Sequence, residues 1–342
     1  MEKARMVAYC CGGTGVNQGR RLASMASAMD KKQSEFHVAP KIVYIDSSDA
    51  NTKKLEADVY EFPDTSGDNT LRGSGGIRAE NAKIFAKYTK DILQKNPCGD
   101  FNVLIHSGGG GSGSVIAALL AKEMLARGEN VFIVMVGARD IAKHINNTFR
   151  TLKSYMGYAQ EYKRPLPVFY FEQQDERHRE DIDTNLLKHL ACLMFAFSTH
   201  HAELDHMDVE NWINYNRSAP FAPDLIFAKV SMGLTPEDAA EEIDSHGRIA
   251  SSICFGEYGK VSAYPNSMTA YQTFGYESED SSKTALGGST MHISFHTGYM
   301  VRVTKELEKI VEDLNRDTHS IVVDSIRSTK EDGFDDETGL VL

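Results

Sequence analysis

Short apolar runs alternate along the chain with longer stretches in which apolar residues recur at helical spacing, so strands followed by helices are expected. The strands fall at residues 5–10, 41–45, 101–105, 131–136 and 167–171, separated by helices at 20–29, 79–93, 115–126 and 148–160. This order predicts a mostly parallel sheet with right-handed crossovers, covered on both faces. A long helix follows at 183–198, where Leu186, Leu187, Leu190, Leu193, Met194 and Phe197 form a wide apolar stripe that calls for burial between two units. Beyond Pro220 and Pro223 the rhythm changes. Strands are expected at 225–230, 248–255 and 291–295, with a helix at 235–245 capped by Thr235 and carrying Pro236 in its first position. A polar surface loop at 276–288 precedes an amphipathic helix at 299–314. The chain thus reads as α/β: a Rossmann-like domain (1–178), a long central helix with an acidic loop (179–218), a smaller α+β domain (219–298), and a C-terminal helix with an acidic tail (299–342).

Glycine-rich segments sit where strands hand over to helices. The densest is Ser107, Gly108, Gly109, Gly110, Gly111, Ser112, Gly113 and Ser114, between an apolar strand and an Ala/Leu/Met helix. Glycine permits positive φ and close backbone approach, while the N–H groups and positive dipole end of the following helix attract an anion. Phosphate is the natural occupant. A flexible linker would not be flanked in this way. A second such segment runs from Cys11 through Gly12, Gly13, Thr14, Gly15 and Asn17 to Gly19, and a third holds Arg72, Gly73, Ser74, Gly75 and Gly76. Asp46, Ser47, Ser48 and Asp49 end the second strand, at the sheet edge where α/β folds bind ligands.

The net charge of -11 over 342 residues disfavours direct binding to nucleic acid, which needs clustered Lys and Arg. No apolar run approaches the roughly 20 residues of a membrane helix, and no signal-type segment follows the first residues, so no membrane contact and a cytoplasmic location are expected. Five scattered cysteines without CxxC spacing argue against a disulfide framework and a zinc site. His200, His201, Asp205 and His206 are metal-ligand types, but their spacing is not that of His-Glu-x-x-His, and no metal held by side chains is expected.

Two kinds of phosphate binder can be weighed on the motifs. The P-loop is absent, since neither glycine loop ends in Gly-Lys-Ser/Thr. Gly13, Gly15 and Gly19 with Asp46 imitate the fingerprint of an NADP-dependent oxidoreductase, but that reading leaves the denser loop at Ser107 without a purpose.

Residues 107–113 resemble the tubulin and FtsZ signature, small-Gly-Gly-Thr-Gly-Ser/Ala-Gly, with Gly110 in place of Thr. The resemblance extends through Gly12 to Asn17, Asp46 to Asp49 and Arg72 to Gly76 as further nucleotide loops, and on to the long helix. Length and acidic tail look most like the phage-encoded tubulins. The resemblance implies GTP or GDP with Mg2+, phosphates lying on Gly108, Gly109, Gly110, Gly111 and Ser112 and on Gly12, Gly13, Thr14 and Gly15. Asn17 and Asn185 match the family's base-binding asparagines, amides that offer donor and acceptor together. Asp49 belongs to the second loop, Gly73, Ser74 and Gly75 would approach the γ-phosphate, and Asp140 would hold ribose. Glu203-x-Asp205-x-x-Asp208 resembles the acidic loop that follows the central helix and enters the neighbouring subunit's pocket, where carboxylates can orient water for attack on the γ-phosphate. The implied protein is a GTPase that polymerises head to tail into a cytoskeletal filament, hydrolyses GTP between subunits, and positions phage or plasmid DNA in a bacterial cytoplasm, with an adaptor or cargo as a further partner. The alternatives are the oxidoreductase and a nucleotide-binding scaffold that does not hydrolyse.

Overall fold

The computed structural model describes residues 5–31, 38–53, 55, 58–62, 78–173, 179–198, 201, 203–233, 235–258, 261, 264, 268–276, 286 and 288–331. The third glycine segment with Gly73, Ser74 and Gly75, and the tail at 332–342, lie outside the described residues.

The N-terminal half alternates as expected: β1 (Met6–Cys11), α1 (Gly12–Lys31), β2 (Lys41–Ile45), α2 (Asp49–Thr52), β3 (Val59–Tyr60), α3 (Arg78–Phe85), α4 (Thr89–Lys95), β4 (Phe101–Ser107), α5 (Gly113–Ala126), β5 (Asn130–Ala138), α6 (Ala142–Glu161) and β6 (Leu166–Gln173). Then follow α7 (Arg179–Ala196), α8 (His206–Ile213), β7 (Leu225–Met232), α9 (Pro236–His246), β8 (Ile249–Gly256), β9 (Thr269–Tyr276), β10 (Met291–His296) and α10 (Tyr299–Glu331). Among the described residues ten strands form one sheet in the order β3-β2-β1-β4-β5-β6-β7-β10-β8-β9. Pairing is parallel from β3 to β7, antiparallel on both sides of β10, and parallel again between β8 and β9.

The period of two along β1 explains the layers. Met6, Ala8 and Cys10 join one apolar core with Val16 and Leu22 of α1, Leu186, Leu190 and Leu193 of α7, and Trp212 of α8. Val7, Tyr9 and Cys11 face the other core with α5, α6 and the first turns of α10. The apolar stripe of α7 is buried as its pattern requires, and the same core reaches Ile253 and Phe255 of β8 and Phe295 of β10. Thr235 caps α9 in a capping box with Asp238, and Pro236 begins the helix.

Several boundaries differ from expectation. The helix expected at 20–29 begins at Gly12, because that glycine turns the chain out of β1 in one residue at φ 71°. The single helix expected at 79–93 is two, α3 and α4, broken at 86–88, where Tyr88 packs edge-on against Phe62 with centroids 5.4 Å apart. The helix expected at 148–160 starts six residues earlier at Ala142, that at 299–314 continues to Glu331, and β3 and β9 are additional.

Candidate functional site

β1 and β4 lie side by side and parallel, with Cys11 opposite His106, yet their helices leave to opposite faces: α1 packs in one core and α5 in the other. Such a divergence opens a crevice at the carboxyl ends of the strands, the usual ligand position of an open α/β sheet. A cavity of about 260 Å³ occupies it, lined by Cys11, Gly12, Gly13, Thr14, Asp46, Ser48, Asn51, Ser107, Gly110, Gly111, Ser112 and Gly113. Both glycine loops therefore meet in one place. Ser47 and Ser112 join the second strand's end to the loop, their hydroxyl oxygens 2.6 Å apart.

The loop after β4 is held from its carbonyl side. Asn147 donates to the Gly109 carbonyl at 3.1 Å, and Ser114 to that of Gly110 at 2.5 Å. Arg78 donates to the Ser114 carbonyl at 2.7 Å and to the Ser154 hydroxyl at 3.0 Å, fixing the first turn of α5. Fastening the acceptors in this way suits a loop whose N–H groups face an anion. Beneath it, His106 is fully buried with Nε2 2.7 Å from the Tyr155 hydroxyl, and burial holds its pKa down to about 4, so it is neutral.

Among the described residues Asp46 is the one carboxylate that lines the cavity. It accepts from the Asn51 amide at 2.7 Å and from the Ser48 N–H at 3.4 Å. Burial raises its pKa, and these hydrogen bonds oppose the rise.

The acidic loop lies at the other edge of the sheet. Asp205 caps α8, its carboxylate accepting from the Asp208 N–H at 2.9 Å, and Asp208 accepts from the Asp205 N–H at 3.1 Å. One oxygen of each acid thus serves the cap, and Glu203 holds φ 63° beside them. The first residue of α8, His206, touches Arg5 and Phe101 at the starts of β1 and β4, and Glu210 accepts from Asn130 at the start of β5. The glycine loops leave the far ends of those strands. Six residues of β1 at about 3.3 Å each separate the edges by about 20 Å. No carboxylate of this loop reaches the chain's own cavity.

No protein-family model matches the chain. A phage tubulin-like protein of Pseudomonas phage PhiPA3 is 29% identical over 217 residues, covering 64% of this chain and 63% of that relative. The matched part is thus less than two thirds of the relative's length. A protofilament structure of TubZ from bacteriophage PhiKZ superposes with a TM-score of 0.78 at 23% identity, over 93% of each chain. The phage tubulin PhuZ bound to GDP superposes at 0.75 and 19% identity, over 99% of this chain and 100% of that one. The fold is that of the tubulin and FtsZ superfamily.

Within this tubulin-like fold, other expected site residues stand around the cavity at different distances from it. Gly108 and Gly109 support the loop by packing: a Cβ on Gly108 would meet Met135 Cε at 2.1 Å, and one on Gly109 would meet Ala138 Cβ at 2.9 Å. Gly15 lets α1 press on β4, where a Cβ would stand 2.3 Å from the Ile105 carbonyl oxygen. Asn17 and Asn185 are both exposed, on the two helices that the Gln18 amide links by donating to Asp183 at 2.6 Å. Asp49 is exposed at the start of α2. Asp140 is bound by the Ile141 N–H at 2.9 Å and by His144 at 3.1 Å. Cys11, Ser48, Ser107 and Gly113, which belong to the segments read as nucleotide loops, also line the cavity, and Asn51 lines it from outside any motif. For Asn51 the sequence holds no signal, since α2 is a single turn.

Proposed function

We propose that the chain binds a guanine nucleotide in the cavity between the two glycine loops and polymerises head to tail, each subunit hydrolysing GTP with the acidic loop of its neighbour. The observation that carries this reading is the separation of Ser112 and Asp208 to opposite edges of one sheet. A site whose phosphate cradle and acids lie at opposite ends of a molecule is completed only by a second copy, and repetition of that heterologous contact gives an open filament. Asp205 and Asp208 would orient water, a matter of positioning and electrostatics.

Mg2+ belongs to the proposal. Asp46 is the lining carboxylate that such an ion would neighbour, and the ion would neutralise phosphate charge beside it. Asn17 and Asn185 are proposed for the base, Asp140 for the ribose, and Gly73, Ser74 and Gly75 for the γ-phosphate. The division into units at 178, 218 and 298 is part of the same reading, as is a filament that positions phage or plasmid DNA in the bacterial cytoplasm. Its support is the similarity to a phage tubulin-like protein and to a TubZ protofilament.

Sedimentation with GTP or GDP, combined with phosphate release, tests this function. Polymer should pellet with GTP, and turnover per subunit should rise with protein concentration. Turnover independent of concentration would exclude a site shared between subunits.

A further inference from the structure

Arg5 stands at the foot of β1 and reaches both ends of the segment that carries the acids. Its Nε donates to the Phe197 carbonyl, one residue past α7, at 3.0 Å. Its Nη1 lies 2.6 Å from Nδ1 of His206, the first residue of α8. Guanidinium carries only donors, so Nδ1 of His206 is the acceptor here, and its Nε2 lies 3.3 Å from Glu210. Aromatic contacts close the same ring: Phe101 stacks on Phe197 with centroids 4.2 Å apart and planes within 7°, and packs against His206 at 5.6 Å. The Arg5 guanidinium lies 4.9 Å from the Phe101 ring and 3.5 Å from Asp100.

Both ends of the acidic segment are therefore fastened to one side chain. Inside it Glu203 holds a left-handed backbone, which a residue other than glycine keeps only where its surroundings over-determine it. We propose that Arg5 is a positioning residue for hydrolysis in the neighbouring subunit, fixing the angle at which Asp205 and Asp208 enter the next cavity. The proposal rests on the shared-site reading above. Arg5 touches no nucleotide, since it lies at the sheet edge opposite its own cavity.

The test uses mixed filaments. Arg5→Ala should bind GTP and pellet like the unaltered protein while releasing phosphate roughly ten- to a hundredfold more slowly, the range that about 1 Å of misplacement produces. Mixed with Thr14→Glu, whose cavity carries a repelling carboxylate but whose acidic loop is intact, Arg5→Ala should regain hydrolysis in its own pockets. Mixed with Asp208→Asn, it should not. A purely structural role for Arg5 would leave both co-pelleting mixtures equally slow, and this result overturns the proposal. So does unaltered hydrolysis by Arg5→Ala while Asp208→Asn is inactive. Full hydrolysis by Asp208→Asn alone overturns the shared-site reading and the proposal with it. If Arg5→Ala does not fold, Arg5→Lys serves in the same mixtures, because one ammonium does not reproduce the fork that holds Phe197 and His206 together. Unaltered hydrolysis by Arg5→Lys likewise overturns the proposal.

Discussion

Gly12 and Gly113 meet back to back: a Cβ on Gly12 would stand 2.7 Å from the Gly113 amide nitrogen and 2.8 Å from its Cα. This contact joins the two loops into one cavity, and the φ of 71° at Gly12 adds a conformation that side chains resist. Gly12→Ala is expected to cost at least about 1–2 kcal/mol of stability and to weaken nucleotide binding. Gly110 is different, since a Cβ there meets nothing closer than 3.9 Å. Gly110→Thr, which restores the residue typical of the tubulin and FtsZ signature, should change stability by no more than about 0.5 kcal/mol and keep GTP binding. Denaturant unfolding of both variants checks the contrast, and equal losses would contradict it. Gly109→Val should lower stability as well as binding, because the new side chain meets Ala138 and His144 at 2.9 and 3.0 Å.

Three buried histidines make the fold sensitive to acid. Burial holds His106, His292 and His296 down to about 4, against an ordinary value of 6.5. Between these values the unfolded chain binds more protons than the folded one, so stability is complete above about pH 6.5 and falls as the pH drops toward about 4. Each histidine adds a slope of about 1.4 kcal/mol per pH unit within that window. Thermal unfolding from pH 7.5 to 4.5 should show a falling midpoint, and a flat profile would contradict the assignment.

The tail at 332–342 combines Asp332, Asp335, Asp336 and Glu337 with Phe334 and a terminal Leu340-Val341-Leu342. Charge for steering joined to apolar groups suits an assembly contact better than a solubilising fringe. Deleting it should leave monomer affinity for GTP unchanged and raise the critical concentration for filaments, less so at high salt, which already screens the contact. Pelleting at the same critical concentration as the full chain would mark the tail as a fringe.

Much of this was legible in the residues, for physical reasons that differ by element. The loop at Ser107 stood out because a β-branched strand and an apolar helix bracket it, and both fall where that pattern places them. The start of α1 was not legible, since four early glycines read as loop while Gly12 alone makes the turn. The break between α3 and α4 carries no glycine or proline that would mark it in the sequence. Asp205 and Asp208 were legible only as the acids of the loop that the resemblance implies. The structure makes them a capping box at the edge away from the cavity, where a catalytic role would depend on a neighbour.

That dependence is the central claim, and a complementation assay addresses it directly. Asp208→Asn keeps an acceptor for the cap and an intact cavity, whereas Thr14→Glu keeps the acids and blocks the cavity. Each alone should hydrolyse GTP very slowly. Mixed in equal amounts and shown to co-pellet, they should recover about a quarter of the unaltered rate, because about one contact in four in a random head-to-tail filament pairs an intact cavity with an intact acidic loop. A co-pelleting mixture no faster than the sum of its parts would contradict hydrolysis shared between subunits.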